Sequence, residues 1–416
     1  MSSSATPAMP TPSPKRLERP ATLGLGLLLA LACAWAPRAH AHGEALLQPG
    51  WRVEAGVDLQ AVQARHPWPQ PLPGVLLLGD TPTRQDGRLR LGHGLLGAQA
   101  RSAGGWGAEL ALELHQNDSP RLEQAALSWQ TQAWSGQDLR VVAGRQRLRW
   151  GPLIDGAGHL DALSSLPLAK RAVLNERWSE DGLSLFWRPA SIELQVQAGL
   201  WAGREFPAAP AGAWMPSLQA EGRWGDWALE AFVTQARPRG RGAALQGVAG
   251  SGHRHGALDC RQALAQRVCF DGDSRLAGAA LAWQQGPWRF SAAGLLRDEQ
   301  GRLFSTNGAA ALDSQVRGLW LQARWQASTQ WQLAAQWERM SPQARLIGTG
   351  VALLARESGL AAAVPVQRAS LSAAWQAQPT LSVGLEAAAE RAQGGRSNTL
   401  ATLRLVWLPH WTGTLP

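Results

Sequence analysis

Hydrophobic and polar residues alternate along most of this chain, and the stretch from Trp106 to His115 shows the pattern most clearly. Apolar side chains stand at every second position, namely Trp106, Ala108, Leu110, Leu112 and Leu114. Small or polar residues lie between them. A period of two residues predicts a β-strand whose two faces meet different surroundings. A strand with hydrocarbon on one face and water on the other is the unit of a transmembrane β-barrel.

The same alternation recurs in sixteen segments, none of which has convincing helical periodicity. Most are close to the 9–11 residues that a tilted strand needs to cross the hydrocarbon core. The predicted strands are residues 51–65, 87–101, 106–116, 122–132, 138–149, 182–188, 191–202, 216–224, 227–236, 274–283, 288–298, 316–326, 331–340, 366–376, 380–391 and 397–407.

The connections between these strands alternate between short and long, which is a second feature of outer-membrane barrels. Short ones such as Gly225-Asp226 carry turn residues, and the long ones are residues 66–86, 150–181, 237–273, 299–315 and 341–365. We therefore predict an all-β fold, an antiparallel transmembrane β-barrel of about 16 strands (between 14 and 18) with its long loops on one side. Soluble sandwiches and propellers also use alternating strands, but no blade-length repeat is visible and sandwich strands are shorter.

Residues 1–41 have the features of a secretory signal peptide. Lys15, Arg16 and Arg19 precede an apolar run over residues 21–36, and Ala39-His40-Ala41 matches a cleavage site. We expect residues 42–416 to form one barrel domain in the outer membrane of a Gram-negative bacterium. The nine-residue tail after Trp407 departs from the usual aromatic C-terminus of such barrels.

The formal charge of +9 falls to +6 without the first 41 residues, which carry four Lys and Arg residues and one Glu. The arginines are scattered singly, so a nucleic acid is not among the expected partners. A basic lumen or contacts with anionic lipid headgroups account for this charge better in an exported protein. The chain has 22 Trp and no Tyr, so we expect tryptophan alone to form the aromatic girdles.

Cys260 and Cys269 are the two cysteines that remain after cleavage. In an oxidising compartment a close pair in a loop predicts a disulfide. The same loop carries His253 and His255, so a zinc site is the alternative, although oxidised cysteines cannot act as ligands.

Several short segments resemble porin-like families. Gly144-Arg145 within Ala143–Gly151 is similar to a motif of phosphate-selective porins and alginate-export barrels. Over residues 139–209 and 270–340 the chain more closely resembles a family of uncharacterised porin-like outer-membrane proteins associated with zinc uptake or zinc-regulated loci. The residues that carry this resemblance are Gly144-Arg145, His159-Leu160-Asp161, Leu166–Leu168, Asp181–Trp187, Phe206-Pro207, Phe270–Ser274 and Trp283.

The resemblance implies a porin-like barrel with a link to zinc. Family members carry several histidines where this chain keeps only His159. His159, His253 and His255 are therefore the residues to which a zinc role would fall. No other cofactor is implied.

Cationic side chains are concentrated around the long segment that follows residue 149. In porins such a segment can fold inward, and fixed positive charge in a narrow passage favours anions. The candidate constriction residues are Arg145, Arg147, Arg149, Lys170 and Arg171. Pairing of these arginines with carboxylates on neighbouring strands is the alternative.

These observations favour a channel for passive diffusion of small hydrophilic solutes, with a preference for anions. No nucleophile elbow, zinc-protease motif or phosphate-binding loop is present, so we do not expect an enzyme. The alternative function is a metal-linked outer-membrane protein that binds or takes up zinc. The expected partners are outer-membrane lipid and the solutes, with a homotrimer as one option for assembly.

Overall fold

The computed structural model describes residues 48–76, 84–114, 120–133, 136–157, 163–175, 178–244, 258–260, 267–392, 395 and 397–414. The predicted signal peptide lies outside these residues. Strands account for most of the described chain, and every pairing between them is antiparallel.

Sixteen long strands form a closed β-barrel, as the alternation in the sequence predicts. Each strand pairs with its neighbours in chain order, and the last barrel strand pairs with the first through Val57–Ala64 and Leu400–Trp407. The barrel strands are β1 (Gly50–Trp68), β2 (Arg84–Arg101), β3 (Trp106–Leu114), β4 (Arg121–Ala133), β5 (Gln137–Arg147), β6 (Ser179–Arg188), β7 (Leu194–Trp201), β8 (Met215–Trp224), β9 (Trp227–Ala236), β12 (Arg267–Gln285), β13 (Trp288–Ser305), β14 (Gly308–Gln326), β15 (Trp331–Thr349), β16 (Val366–Gln378), β17 (Leu381–Ala392) and β18 (Ser397–Trp407).

Three shorter strands complete the sheet. β10 (Arg241–Ala244) and β11 (Leu258–Asp259) lie in the long connection between β9 and β12. The Cys260–Cys269 disulfide closes part of this connection, which confirms the predicted pair. β19 (His410–Gly413) pairs with Trp51–Glu54, so the C-terminal tail continues along the edge of β1 beyond β18.

The outer surface of the barrel is apolar. Leucine, valine and phenylalanine side chains point outward from successive strands, and an exposed apolar band of this kind faces lipid. Tryptophans ring the end of the barrel where the short turns lie, as predicted for an interfacial girdle. The exposed members include Trp106, Trp129, Trp227, Trp288, Trp325, Trp331, Trp375, Trp407 and Trp411.

One predicted loop is wrong. Residues 299–315 form no long loop, because β13 and β14 continue as a hairpin with only Thr306 and Asn307 between them. Hydrophobic and polar residues do not alternate in this stretch, because both faces of a strand that extends beyond the bilayer are near water. The polar run Asp298-Glu299-Gln300 therefore has the composition of a loop while it pairs as a strand.

In the described parts of the long connections there are three short helices: α1 (Pro152–Gly156), α2 (Leu168–Leu174) and α3 (Val351–Glu357), the last followed by a 3-10 turn at Leu360–Ala362. Within the described ranges, none of the helices has the length and hydrophobicity required to span a bilayer.

Candidate pore interior

The connection between β5 and β6 folds into the barrel, as predicted. We call residues 148–178 the inner segment, of which the structure describes 148–157, 163–175 and 178. Its helix α1 lies against β12 and β13, and its helix α2 lies against β13–β16. One side of the barrel therefore carries the inner segment.

Apolar packing holds the inner segment to this side. Ile154, Leu168 and Val173 are fully buried. They belong to a cluster with inward-facing wall residues that include Phe232, Leu276, Leu295, Val316, Trp320 and Met340. The wall residues alternate with lipid-facing ones, since Trp320 lies between the exposed Leu319 and Leu321. Burial of this apolar surface stabilises the inner segment on the wall.

Three wall carboxylates bind the backbone of the inner segment. Glu230 accepts the N–H groups of Leu153 and Ile154 at the start of α1. Glu386 accepts the N–H and hydroxyl of Ser164, both at 2.6 Å, and the N–H of Ser165 at 3.2 Å. Glu338 accepts the N–H of Leu168 at the start of α2. Hydrogen bonds between these buried acidic side chains and backbone N–H groups fix the segment more firmly than apolar contact alone.

Segments from two other long connections also enter the barrel on this side. Arg297 donates to the carbonyl of Leu76 at 3.0 Å, and Arg241 donates to the carbonyl of Pro207 at 2.9 Å. Arg241 also forms a fully buried ion pair with Glu299. Residues 69–76 and 202–214 are thus held at the long-loop end.

The opposite wall keeps charged side chains that face the lumen. On β1 and β18, Asp58 and Arg404 form a two-pronged ion pair at 3.1 and 2.9 Å. Beside them Arg84 donates to Gln60 at 3.3 Å. Polar lumen walls of this kind can support a water-filled passage.

Three arginines lie near the short-turn ends of β2, β5 and β6, and Arg149 of the inner segment lies within electrostatic range of them. Arg140 lies 3.7 Å from Glu109 and stacks over Phe186 at 4.5 Å. The charges of Arg101, Arg149 and Arg188 all reach Arg140. We call Arg101, Arg140, Arg149 and Arg188 the arginine cluster. Only Arg149 of this cluster is among the constriction residues predicted from the sequence. The other three lie on separate strands, and the register of the sheet, which the sequence does not fix, brings them close together.

The five candidate constriction residues do not form one ring. Arg145 pairs with Asp181 at 3.8 Å and Glu205 at 3.4 Å near the long-loop end of β5, and Arg147 pairs with Glu113. Pairing with carboxylates was the alternative expected for these arginines. Arg149 belongs to the arginine cluster.

Lys170 and Arg171 lie on α2 and are buried. Lys170 donates to the carbonyls of Asp155 at 2.6 Å and Ala157 at 3.1 Å, which ties α2 to α1. Arg171 donates to the carbonyl of Gln70 at 3.1 Å. Lys170 therefore joins the two helices of the inner segment, and Arg171 joins α2 to the β1–β2 connection.

The candidate zinc residues His159, His253 and His255 lie outside the described residues. Within the described part of the chain, no group of three or more His, Cys, Asp or Glu side chains could hold a metal ion. The zinc role therefore stays a prediction from the sequence.

Comparisons with known proteins place the fold. No protein-family profile and no curated protein sequence matches the chain. Among solved structures, the chain is similar to a loop-deletion variant of the outer-membrane protein OmpT of Vibrio cholerae, with a TM-score of 0.55, 12% identity and coverage of 88% of this chain and 100% of the other.

Two further structures show the same likeness. The outer-membrane channel DcaP of Acinetobacter baumannii has a TM-score of 0.55 and 11% identity over 88% of this chain and 99% of its own. An anion-selective porin from Comamonas acidovorans has a TM-score of 0.53 and 12% identity over 86% of this chain and 99% of its own. The chain thus has the fold of outer-membrane porins, and with its lipid-facing band this fold assigns it to the bacterial outer membrane.

Proposed function

We propose that this protein is an outer-membrane channel for the passive diffusion of small hydrophilic solutes. The proposal rests on a difference between the two sides of the barrel: the inner segment covers one side, and the other keeps charged side chains towards the lumen. The inner segment is bound to β9 and β12–β17, while β1, β2, β5, β6 and β18 keep charged side chains towards the lumen. The proposed passage runs between the inner segment and these strands.

The arginine cluster supports a preference for anions. Arg101, Arg140, Arg149 and Arg188 bring four positive charges close together near Glu109. A fixed positive field at a narrow place lowers the barrier for anions and raises it for cations. The Debye length is about 10 Å at 0.1 M salt and about 30 Å at 0.01 M, so the preference should be strongest in dilute salt.

The experiment is the reversal potential of the purified protein in a planar bilayer under a KCl gradient. The expected potential has the sign of chloride selectivity and grows as the mean salt concentration falls. A cation-selective potential would overturn the anion preference, and a protein that never conducts would overturn the channel itself.

A matched pair of variants tests the arginine cluster. Arg140→Gln combined with Arg188→Gln removes two of its charges, and the selectivity should move towards zero or reverse. Arg88→Gln combined with Arg237→Gln removes the same charge from exposed side chains outside the cluster, and the selectivity should stay close to that of the unmodified protein. An equal change in both variants would contradict a local role for the cluster.

We further propose assembly into a homotrimer. The in-vitro folded OmpT of Vibrio cholerae in its trimer form has a TM-score of 0.50 to this chain. Mass measurement of the folded protein in detergent tests this, with three chains expected and a single chain contradicting it.

A further inference from the structure

The lipid-facing surface between β14 and β17 has arginines at one level. Arg339 on β15 and Arg391 on β17 both stand next to Gln367 of β16 in the register of the sheet. Arg317 on β14 lies one outward-facing position nearer the long loops, opposite Ser341. We call Arg317, Arg339 and Arg391 the outer arginines. All three are exposed.

The outer arginines mark the edge of the apolar band on the long-loop side. On β14, Arg317 stands eight residues from the girdle residue Trp325, and on β15, Arg339 stands eight residues from Trp331. Eight residues of a strand tilted by about 45° span roughly 20 Å, close to the height of the apolar band of such barrels, about 25 Å. The outer arginines therefore lie at the level of the lipid headgroups.

Among the described residues, no ion pair or side-chain hydrogen bond involves an outer arginine. Neighbouring strands are about 4.8 Å apart, so Arg339 and Arg391 are separated by about 10 Å at the backbone. Three like charges this close, with no carboxylate between them, favour an anionic partner that supplies more than one phosphate or carboxylate oxygen.

An apolar groove begins next to these arginines and runs along the outside of the barrel towards the tryptophan girdle. Its volume is about 1070 Å³ and its surface is almost entirely apolar. Its lining combines small side chains such as Ala369, Ala387 and Ala389 with larger ones such as Trp337, Leu321 and Leu371. In β15, Trp337 faces outward two residues from Arg339, so groove and arginines are continuous.

We propose that this surface binds one molecule of a phosphorylated, acylated lipid of the outer leaflet. Its phosphate groups would contact the outer arginines, and an acyl chain would lie in the groove. The outer arginines would bind the phosphate groups, and the apolar groove would bind the hydrocarbon chain. Because the two features adjoin, a single amphiphilic molecule fits both. A second copy of the barrel would fit the groove less well, since it would have to approach three unpaired cations.

The test is native mass spectrometry of the detergent-purified barrel titrated with lipid A. The variant Arg317→Gln/Arg339→Gln/Arg391→Gln should bind lipid A about 100-fold more weakly, since each arginine near an anionic lipid contributes roughly fivefold in affinity. Dephosphorylated lipid A should bind the unmodified and triple variants equally. The control Arg88→Gln/Arg237→Gln/Arg239→Gln loses the same charge at exposed positions elsewhere, and its affinity should change less than threefold.

A second variant tests the groove independently of charge. Ala387→Phe fills the groove from the lipid-facing side, where a larger apolar residue leaves the barrel interior untouched. It should weaken lipid A binding about tenfold while the folded barrel persists. Unchanged lipid A binding by the triple variant would overturn the proposal. The proposal would also be overturned if Ala387→Phe left lipid A binding unchanged but altered the oligomeric state. The groove would then be a contact between copies of the barrel.

Discussion

Arg368 of β16 donates to the carboxylate of Glu338 of β15 at 2.7 Å, and both side chains are fully buried. The same carboxylate accepts the N–H of Leu168, and the same guanidinium donates to the carbonyl of Leu166. One ion pair of the barrel wall therefore holds the start of α2. The wall and the inner segment are coupled through this pair.

Removing one member of this pair should destabilise the protein. Glu338→Ala leaves the Arg368 guanidinium with less compensation in a buried place, and we expect a loss of about 3 kcal/mol in the free energy of unfolding. The measurement is urea unfolding in detergent followed by tryptophan fluorescence. Asp226→Ala, which removes a carboxylate from an exposed turn, should change the free energy by less than about 0.5 kcal/mol. Equal stability of the two variants would contradict the anchoring role of Glu338.

Glycine is required where the inner segment begins. Gly151 has φ +108°, a region that favours glycine, and a Cβ there would collide with the Glu230 carboxylate. Gly151→Ala should cost about 2 kcal/mol and weaken the hold of Glu230 on α1, because the backbone strain adds to the collision. Single-channel recordings should then show larger current fluctuations.

Gly156, the last residue of α1, provides the matched control. A Cβ at Gly156 meets no atom within 4 Å, so Gly156→Ala should leave stability and current noise unchanged. If both glycine variants behave alike, the contact between residue 151 and Glu230 does not control the position of the inner segment.

The disulfide should stabilise the loop more than the barrel. Cys260 and Cys269 are nine residues apart, and closure of so short a loop corresponds to about 2–3 kcal/mol of chain entropy. The double variant Cys260→Ala/Cys269→Ala should be cut faster by protease in the β9–β12 connection. Its resistance to SDS at room temperature should match that of the unmodified protein, and a loss of this resistance would show that the bond supports the barrel itself.

The sequence predicts the barrel well because lipid imposes a period of two on every spanning strand. Each of the sixteen predicted segments corresponds to a barrel strand, including the shortest of them at 182–188. The prediction of strands fails beyond the edge of the bilayer. The hairpin of β13 and β14 around Thr306 stands above the bilayer, where neither face has to be apolar.

The candidate site is only partly predictable. Arg145, Arg147 and Arg149 are close in sequence, yet the first two pair with Asp181, Glu205 and Glu113, and only Arg149 joins the arginine cluster. Arg101, Arg140 and Arg188 come from three strands, and their proximity depends on the register. A shift of one residue would turn each of them to the lipid, and alternation alone does not fix that register to the required accuracy.

The most direct measurement is the single-channel conductance of Arg140→Cys before and after a negatively charged thiol reagent. The two cysteines left after the predicted cleavage form the disulfide, so the new thiol would be the reactive one. The control is Val141→Cys, whose row on the sheet contains the lipid-facing Trp129 and Leu185. The account predicts that the reagent reduces the current, and the anion preference, of Arg140→Cys alone. A current that the reagent leaves unchanged in Arg140→Cys would contradict a passage along this wall.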